Sequence, residues 1–512
     1  MGAEPKVGQA PRFALYGEAA DLPRLKGVLE SHGFLGTAAR EALGAEIGPA
    51  HLRTDLPLYL RRLAAPKPLN LLIKLFSLRQ WLDAGDAAAA LAPVSVAELE
   101  ATGLLERGPR GVRARVGLSV HRDLVLAHDA PDPEQPAVLA PDHVLGTNAP
   151  AVTLDCLTVR RTGGTTLDLG VGGGVQSLLA ARHSDRVTAL DKNPRALAFA
   201  RFNARLNGVT GVDFREGDLF APVAGERFDL VVSNPPYVIS PESRYVFQDG
   251  GRPRDTLSEE VVRRAPEHLE EGGFATILVN WALGAGEPWD VPLRRWVEGN
   301  GCDTWLLRGD IQDGLTYAAV WNRGRGPSEY GPAIDAWVEY YRESGIASIG
   351  MGAVILRRRS GGPNWVRADA LPGDPKKPCH EQILRVFAAQ DRVSTRAGDL
   401  EIMAERFRLV EDHVITQTLR RSGDQYAIAE AHIQLTAGLA FRGSVDPYTL
   451  HLLQRCDGAR TLAEVVDELV AKGGADHGRM TAVVAEAARR LAGLGFLVPA
   501  TDEDRPASNN DA

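Results

Sequence analysis

The sequence predicts an α/β chain: a Rossmann-like parallel sheet covered by helices, flanked on both sides by mostly helical, winged-helix-like regions. Three features point there. From about residue 140 to 360, apolar strand-like runs alternate with helical ones, the pattern of strand–helix–strand units. Before residue 130 and after residue 376, apolar positions recur mostly at helical spacing. Between these regions lie Pro- and Gly-rich stretches, "AHDAPDPEQPAVLAPDH" and "RSGGPNWVRADALPGDPKKP". The first reads as a linker or an extended cover strand, the second as a linker.

Residues 1–130 are expected to form one domain. "DLPRLKGVLESHGF" and "LPLYLRRLAAPKPLNLLIKLFSLRQWLDAGD" carry helix-period apolar positions, interrupted at Pro66 and Pro68. "SVAELEATGLLERGPRGVRARVGLSV" reads as a helix followed by a hairpin turning at Gly108 to Gly111, the order of a winged helix. Arg107, Arg110, Arg113 and Arg115 would crowd its wing, where they could meet nucleic acid; a solvated charged hairpin accounts for the same residues.

Residues 140–360 form the expected sheet domain. "TTLDLG", "VTALD", "VDFREGD", "FDLVVSN", "GFATILVN", "DTWLLRG", "YAAVWN" and "MGAVILRRR" are strand-like. Residues 376–500 read as a third, winged-helix-like domain, in which Thr461 is a candidate N-cap and Glu464 closes a capping box. Residues 501–512 read as a disordered acidic tail.

Charge and cysteine usage narrow the function. With a net charge of −8 and a pI near 5.9 there is no global attraction to polyanions, so any nucleic-acid contact needs a local basic patch. Only eight of the basic residues are lysine, which reads as genomic base composition rather than recognition chemistry. Cys156, Cys302, Cys379 and Cys456 are far apart and form no C-x-x-C pair, so neither a metal site nor a disulfide framework is expected. A reducing cytoplasm fits. The first residues lack an apolar signal core, and no apolar run is long enough to cross a bilayer. The expected location is therefore cytoplasmic, with no membrane partner.

"TTLDLGVGGGVQSLLAARHSDRVTALDKNP" runs strand, turn, helix, strand. Gly170, Gly172 and Gly174 sit at the turn, where a ligand can approach backbone unobstructed by Cβ. Asp191 ends the next strand, placed to accept ribose hydroxyls. A nicotinamide enzyme or a merely structural turn could carry that much. The added acidic positions discriminate: Asp168 before the turn and Asp218 after the third strand. S-adenosylmethionine presents an ammonium, a ribose and an adenine amino group, all donors wanting acceptors. Asp168, Asp191 and Asp218 would supply them in chain order.

"FDLVVSNPPYVIS" then stops a buried strand with two prolines. At the carboxyl edge of an open parallel sheet, where ligands bind, Asn234, Pro235, Pro236 and Tyr237 make a stiff corner. The Asn234 side-chain oxygen and the Pro235 carbonyl can each accept an N–H from a planar NH2 group, freeing its delocalised lone pair. Tyr237 can stack on that group.

From Thr165 to Asn280 these segments resemble class I S-adenosylmethionine-dependent methyltransferases with an Asn-Pro-Pro-Tyr motif. The resemblance is strongest to the release-factor glutamine N5-methyltransferases, through "LDLGVGGG", "VTALDKNPRALAFARFNARLNGV", "FREGDLF" and "FDLVVSNPPYV". Adenine-N6 and guanine-N2 nucleic-acid methyltransferases share the corner. The resemblance implies a seven-stranded sheet with S-adenosylmethionine over Gly170–Gly174. It stops after the corner, where "SPESRYVFQDGGRPRDTLSEEVVRRAP" has Asp249, Gly250 and Gly251 but no Glu-Pro segment.

The expected activity is methyl transfer to a planar NH2 nitrogen. A protein glutamine, in a release-factor-like partner, is the first candidate acceptor, and an adenine or guanine amino group of RNA or DNA the second. A cofactor-binding regulatory protein is the reading from another class. Arg252 and Arg254 could clamp an anion or simply be solvated. Cys379 beside His380 suggests a thiol nucleophile only weakly. Trp281, Trp289, Trp296 and Trp305 read as core or surface anchors.

Overall fold

The computed structural model describes residues 15–44, 52–131, 139–248, 250–394, 399–473 and 476–500. Residues 1–14, 45–51, 132–138, Asp249, 395–398, 474–475 and the expected tail at 501–512 lie outside the described residues. The chain divides into two compact units, Met1–Leu154 with Arg160–Ala368, and Asp155–Val159 with Asp369–Ala512.

The first unit is built on one sheet. Its strands are β1 (Thr165–Leu169), β2 (Arg186–Asp191), β3 (Val212–Glu216), β4 (Phe228–Ser233), β5 (Leu269–Leu283), β6 (Cys302–Asp313), β7 (Ser348–Arg358) and β8 (Val366–Ala370). In space they run β3-β2-β1-β4-β5-β7-β6, with β8 outside β6. β1 to β5 pair in parallel, whereas β7 is antiparallel to both β5 and β6. The central strands are nearly continuous apolar runs because helices cover both faces; in "FDLVVS" only Asp229 is exposed.

Two sequence expectations change here. "YAAVWN" is not a strand but part of the helix Gly314–Asn322. Asp313 caps that helix through Thr316 N, and Tyr317, Ala318 and Asn322 face inward at helical spacing. The second linker in turn contains β8, an edge strand too short and polar to announce itself.

The helices before the sheet share a core with it. The helix α1 (Pro194–Leu206), which follows β2, buries Phe199, Phe202 and Leu206 among Leu22, Leu25, Leu72, Phe76 and Leu99. Its amides also close a strand. Asn203 and Asn207, four residues apart and so on one face, each exchange two hydrogen bonds with the backbone of Ala127 and Val125 in the strand Leu124–His128.

The expected helix and hairpin are present at Val96–Ala101, Leu105–Gly108 and Gly111–Ala114, and Ser95 and Glu98 form a capping box at the helix start. The hairpin arginines are largely spent locally. Arg107 pairs with Glu100, Arg113 and Arg115 with Glu106, and Arg110 and Arg113 lie over the Trp81 ring.

In the second unit, Arg406–Leu409 lies between Asp457–Thr461 and Leu497–Pro499 in a three-stranded sheet. The helices His380–Ser394 and His477–Gly493 accompany it. The Thr461–Glu464 capping box closes in both directions. A long hairpin, His413–Ser422 with Gln425–Leu435, is largely exposed and was not foreseen from the helical spacing around it.

All four cysteines are buried free thiols. Burial pushes Cys302 and Cys456 up to about 12, which leaves them unreactive near neutrality. Trp281, Trp296 and Trp305 are buried, as core residues.

Because α1 joins the N-terminal helices to the sheet, Phe202→Ala is expected to cost about 3–5 kcal/mol. Chemical denaturation of the full chain should show the loss in one shared transition of these two regions. A variant that released the N-terminal helices while the sheet kept its midpoint would contradict the shared core.

Candidate active site

The carboxyl ends of β1 to β4 open into a cavity of about 330 Å³. Its lining includes Asp168, Gly170, Gly172, Asp191 and Asp218, together with Asn234, Pro235, Pro236 and Tyr237. Nine of the ten residues singled out in the sequence therefore meet at one place. Gly174 does not line it. That glycine is the N-cap of the short helix Val175–Ala180 at φ +91°, and a Cβ there would come within 3.2 Å of Ala200 Cβ. Its role is close packing. Gly172, at φ +52°, has open space where a Cβ would be, so backbone faces the cavity directly.

The three carboxylates differ in how they are held. Asp168 is buried, and its Oδ2 accepts from Ser177 N at 2.9 Å and from Ser177 Oγ. It thus caps the helix that follows the turn, while its Oδ1 has no hydrogen-bond partner among the described residues. Burial pushes its pKa up to about 6. Asp191 accepts from Gly172 N at 2.9 Å and Asn193 N at 2.8 Å, one on each oxygen, so it fixes the glycine turn. Each oxygen keeps a further lone pair for a ligand. Burial raises this carboxyl as well. Asp218 is 63% exposed, and its partner is Arg252, 3.5 Å away.

The acceptor corner is seated by its neighbours. Ser233 Oγ donates to Leu169 O at 2.9 Å, tying the ends of β4 and β1 together. A Cβ placed on Gly170 would lie 3.8 Å from Asn234 O, so turn and corner are adjacent. The Asn234 side chain has no hydrogen-bond partner among the described residues. Beyond the corner, Ile239 is held from both sides: its N–H donates to Tyr317 Oη at 3.4 Å, and its carbonyl accepts from Tyr341 Oη at 2.8 Å. Asn280 Nδ2 donates to the same Tyr317 Oη at 2.7 Å. Burial holds the Tyr237 phenol protonated, far above its ordinary value.

Several site residues escaped the sequence reading. Trp321 and Phe247 bring further rings to the cavity wall beside Tyr237. Residues 141–143, the end of the stretch read as a linker or an extended cover strand, and 144–148 after it bring His143 to Asn148 to that wall. They are pinned through Val246 N to Pro141 O, Asn193 Nδ2 to Asp142 O, and Val144 N to Asp129. His143 in this segment is only 7% exposed and rests near Phe247, and burial lowers it to about 4, so it is neutral near pH 7. Asn203, besides closing the strand at Ala127, donates to Gly173 O at 2.8 Å and so supports the glycine turn. The repeated amide in "NARLN" was the available signal. Of the loop arginines, Arg252 pairs with Asp218 and Glu260, and Arg254 donates to Ser344 O at 2.7 Å.

Together the cavity lining brings three carboxylates, an open glycine turn, a carboxamide, two prolines and aromatic rings to one place. A ligand with a cationic amine, a diol and a heteroaromatic amine fits the first part, and a planar NH2 group the second. Among the described residues, no group of three His, Cys, Asp or Glu could hold a metal ion. No helix there is long and apolar enough to cross a membrane.

Comparison with known proteins agrees with this geometry. The family "Methyltransferase small domain" matches residues 137–291, and a "Domain of unknown function (DUF7059)" matches residues 31–115. The chain is 32% identical over 165 residues to a release factor glutamine methyltransferase of Geobacter sulfurreducens, covering 30% of this chain and 56% of the relative. It is 37% identical over 131 residues to that of Xylella fastidiosa, covering 23% and 47%. To the ribosomal RNA small subunit methyltransferase C of Escherichia coli it is 36% identical over 121 residues, covering 23% and 32%. The chain spans about half the length of the release-factor enzymes that it matches. The central sheet and the helices that cover it have the fold of the class I S-adenosylmethionine-dependent methyltransferases.

The pKa of Asp168 carries a test. A cationic amine is held by the ionised carboxylate, which predominates above pH about 6. Affinity for S-adenosylhomocysteine, measured by calorimetry, is expected to hold at neutral pH and to fall as the pH drops through about 6. Asp168→Asn should bind weakly with a flatter profile. A wild-type profile level from pH 7 to about 5 would contradict contact between Asp168 and the amine.

Proposed function

We propose that this chain transfers a methyl group from S-adenosylmethionine to the carboxamide nitrogen of a glutamine side chain in a protein. One observation carries the reading: among the described residues the Asn234 carboxamide has no hydrogen-bond partner, and it lines the same cavity as the glycine turn and its three carboxylates. A buried or half-buried amide costs stability when its hydrogen bonds go unmade, so an unpartnered one at a cavity wall suits a ligand.

The residues fit the cofactor. Asp168 Oδ1 would accept from its ammonium, Asp191 from the ribose hydroxyls, and Asp218 from the adenine amino group. S-adenosylmethionine, when bound, supplies an electrophilic methyl carbon on a sulfonium. Everything else falls to the protein. Asn234 Oδ1 and the Pro235 carbonyl would each take one N–H of the acceptor, turning its lone pair toward the methyl. Tyr237 would hold the flat group by stacking. A strong base is unnecessary: as the new N–C bond formed the methyl–sulfur bond would break, leaving the neutral thioether, and one of the N–H protons, made acidic by that bond, would pass to water. Alignment of this kind supplies roughly 7–11 kcal/mol of barrier reduction.

A glutamine acceptor is favoured over a nucleobase by two features. The release-factor enzymes match over more of their length than the ribosomal RNA enzyme does. The hairpin arginines that would have served a nucleic acid are engaged by Glu100, Glu106 and Trp81. The second reading, an adenine or guanine amino group, draws on Trp321 and Phe247, rings on which a base could stack.

The test uses labelled S-adenosylmethionine with fractionated cell extract. Label in a protein, released by exhaustive proteolysis as N5-methylglutamine and by acid hydrolysis as methylamine, is the expected result; label in RNA or DNA would replace the first reading with the second. Asn234→Ala should lower turnover by at least about 100-fold, a typical loss for a transition-state hydrogen bond, while S-adenosylhomocysteine affinity stays within about twofold. Full turnover in that variant would remove Asn234 from the chemistry.

A further inference from the structure

Asp218 differs from the other two carboxylates in what holds it. Asp168 is buried and Asp191 half-buried, and each is fixed by two hydrogen bonds, Asp168 from the backbone and hydroxyl of Ser177 and Asp191 from Gly172 N and Asn193 N. Asp218 is 63% exposed, and the group that meets it is the guanidinium of Arg252, 3.5 Å away. That arginine belongs to the loop after the acceptor corner, far from Asp218 in sequence. Its own position is set by Glu260 in the helix Thr256–Arg264, which also pairs with Arg264 at 3.2 Å.

Two backbone features frame this pair. Leu219, next to Asp218, holds φ +47°, and Arg254, two residues after Arg252, holds φ +54°. Left-handed conformations at residues other than glycine cost of order 1–3 kcal/mol and persist where their surroundings impose them. Arg254 is held by Tyr340 Oη, which accepts from its backbone N–H at 2.8 Å, and by Ser344 O, which accepts from its side chain. The loop is thus pinned at Arg254 to the helix Pro327–Glu343, whose Tyr341 supports the acceptor corner.

We propose that Arg252 is a positioning residue: it aims the Asp218 carboxylate into the cofactor end of the cavity and thereby couples cofactor binding to the placement of the acceptor loop. This rests on the reading of Asp218 as the adenine contact. A carboxylate has lone pairs enough for a guanidinium and an amino group at once, so the pair need not open when the cofactor enters. Since linkage is reciprocal, a bound cofactor steadies Arg252 and the loop that carries it. The acceptor site is then best formed once the cofactor is present.

The test is a double-mutant cycle read by calorimetry with S-adenosylhomocysteine on the full chain. Arg252→Ala is expected to raise Kd about three- to fivefold at low salt, the range for a partly exposed ion pair. Arg252→Lys should recover part of the loss. At about 1 M salt, where charges are screened beyond about 3 Å, the difference should shrink. In an Asp218→Ala background, Arg252→Ala should have no further effect, as coupling through that carboxylate requires. Equal losses in both backgrounds, an unchanged Kd or tighter binding in Arg252→Ala would each overturn the proposal. If Asp218→Ala alone leaves Kd unchanged, the adenine assignment of Asp218 fails with it, while a loss on Asp218→Ala without one on Arg252→Ala rejects the arginine's role alone.

Discussion

The candidate site depends on the parallel pairing of two neighbouring strands. β1 and β4 run side by side in a register that sets Leu169 against Ser233, and the Ser233 hydroxyl donates across to Leu169 O at 2.9 Å. The residues that follow are therefore forced together: Gly170 opens one turn and Asn234 the other. A one-residue slip in a strand moves every side chain to the opposite face. It would also separate the glycine turn from the proline corner. Because both strands are buried on both faces, the register is set by packing throughout the sheet rather than by the few residues at its edge.

The sheet and most of the site residues were legible because they rest on local signals. Continuous apolar runs mark buried parallel strands, and glycines, prolines and acids at strand ends mark turns exposed to ligand. Where the fold escaped the sequence, long-range contacts decided the outcome. "YAAVWN" has strand composition, yet Asp313 starts a helix there and the inward face of Tyr317 and Ala318 completes it. β8 is short and polar and exists as an edge of the sheet. Pro141 and Asp142 read as the end of a linker or a cover strand because the hydrogen bonds that hold them go to Val246 and Asn193, neither near in sequence.

The carboxylates illustrate how a site residue can have two duties. Asp168 caps a helix through Ser177, and Asp191 braces the glycine turn through Gly172. Neither duty excludes ligand binding, since each carboxylate retains acceptor capacity. Both also preorganise the site: the groups that would meet a ligand are already fixed by backbone donors, so less ordering cost falls on binding. Asn203 extends this support from α1, joining the glycine turn to the strand at Ala127 with one amide. The N-terminal helices, through their shared core with α1, are in this way part of what holds the cavity in shape.

The most direct measurement is a crystal structure of the full chain with sinefungin, in which an amine stands where the sulfonium methyl would be. That amine is expected beside the corner, within hydrogen-bond reach (roughly 3 Å) of Asn234 Oδ1 or the Pro235 carbonyl, with the ribose on Asp191. A ligand seated away from the β1 and β4 strand ends, or an Asn234 amide turned into the protein interior, would contradict it.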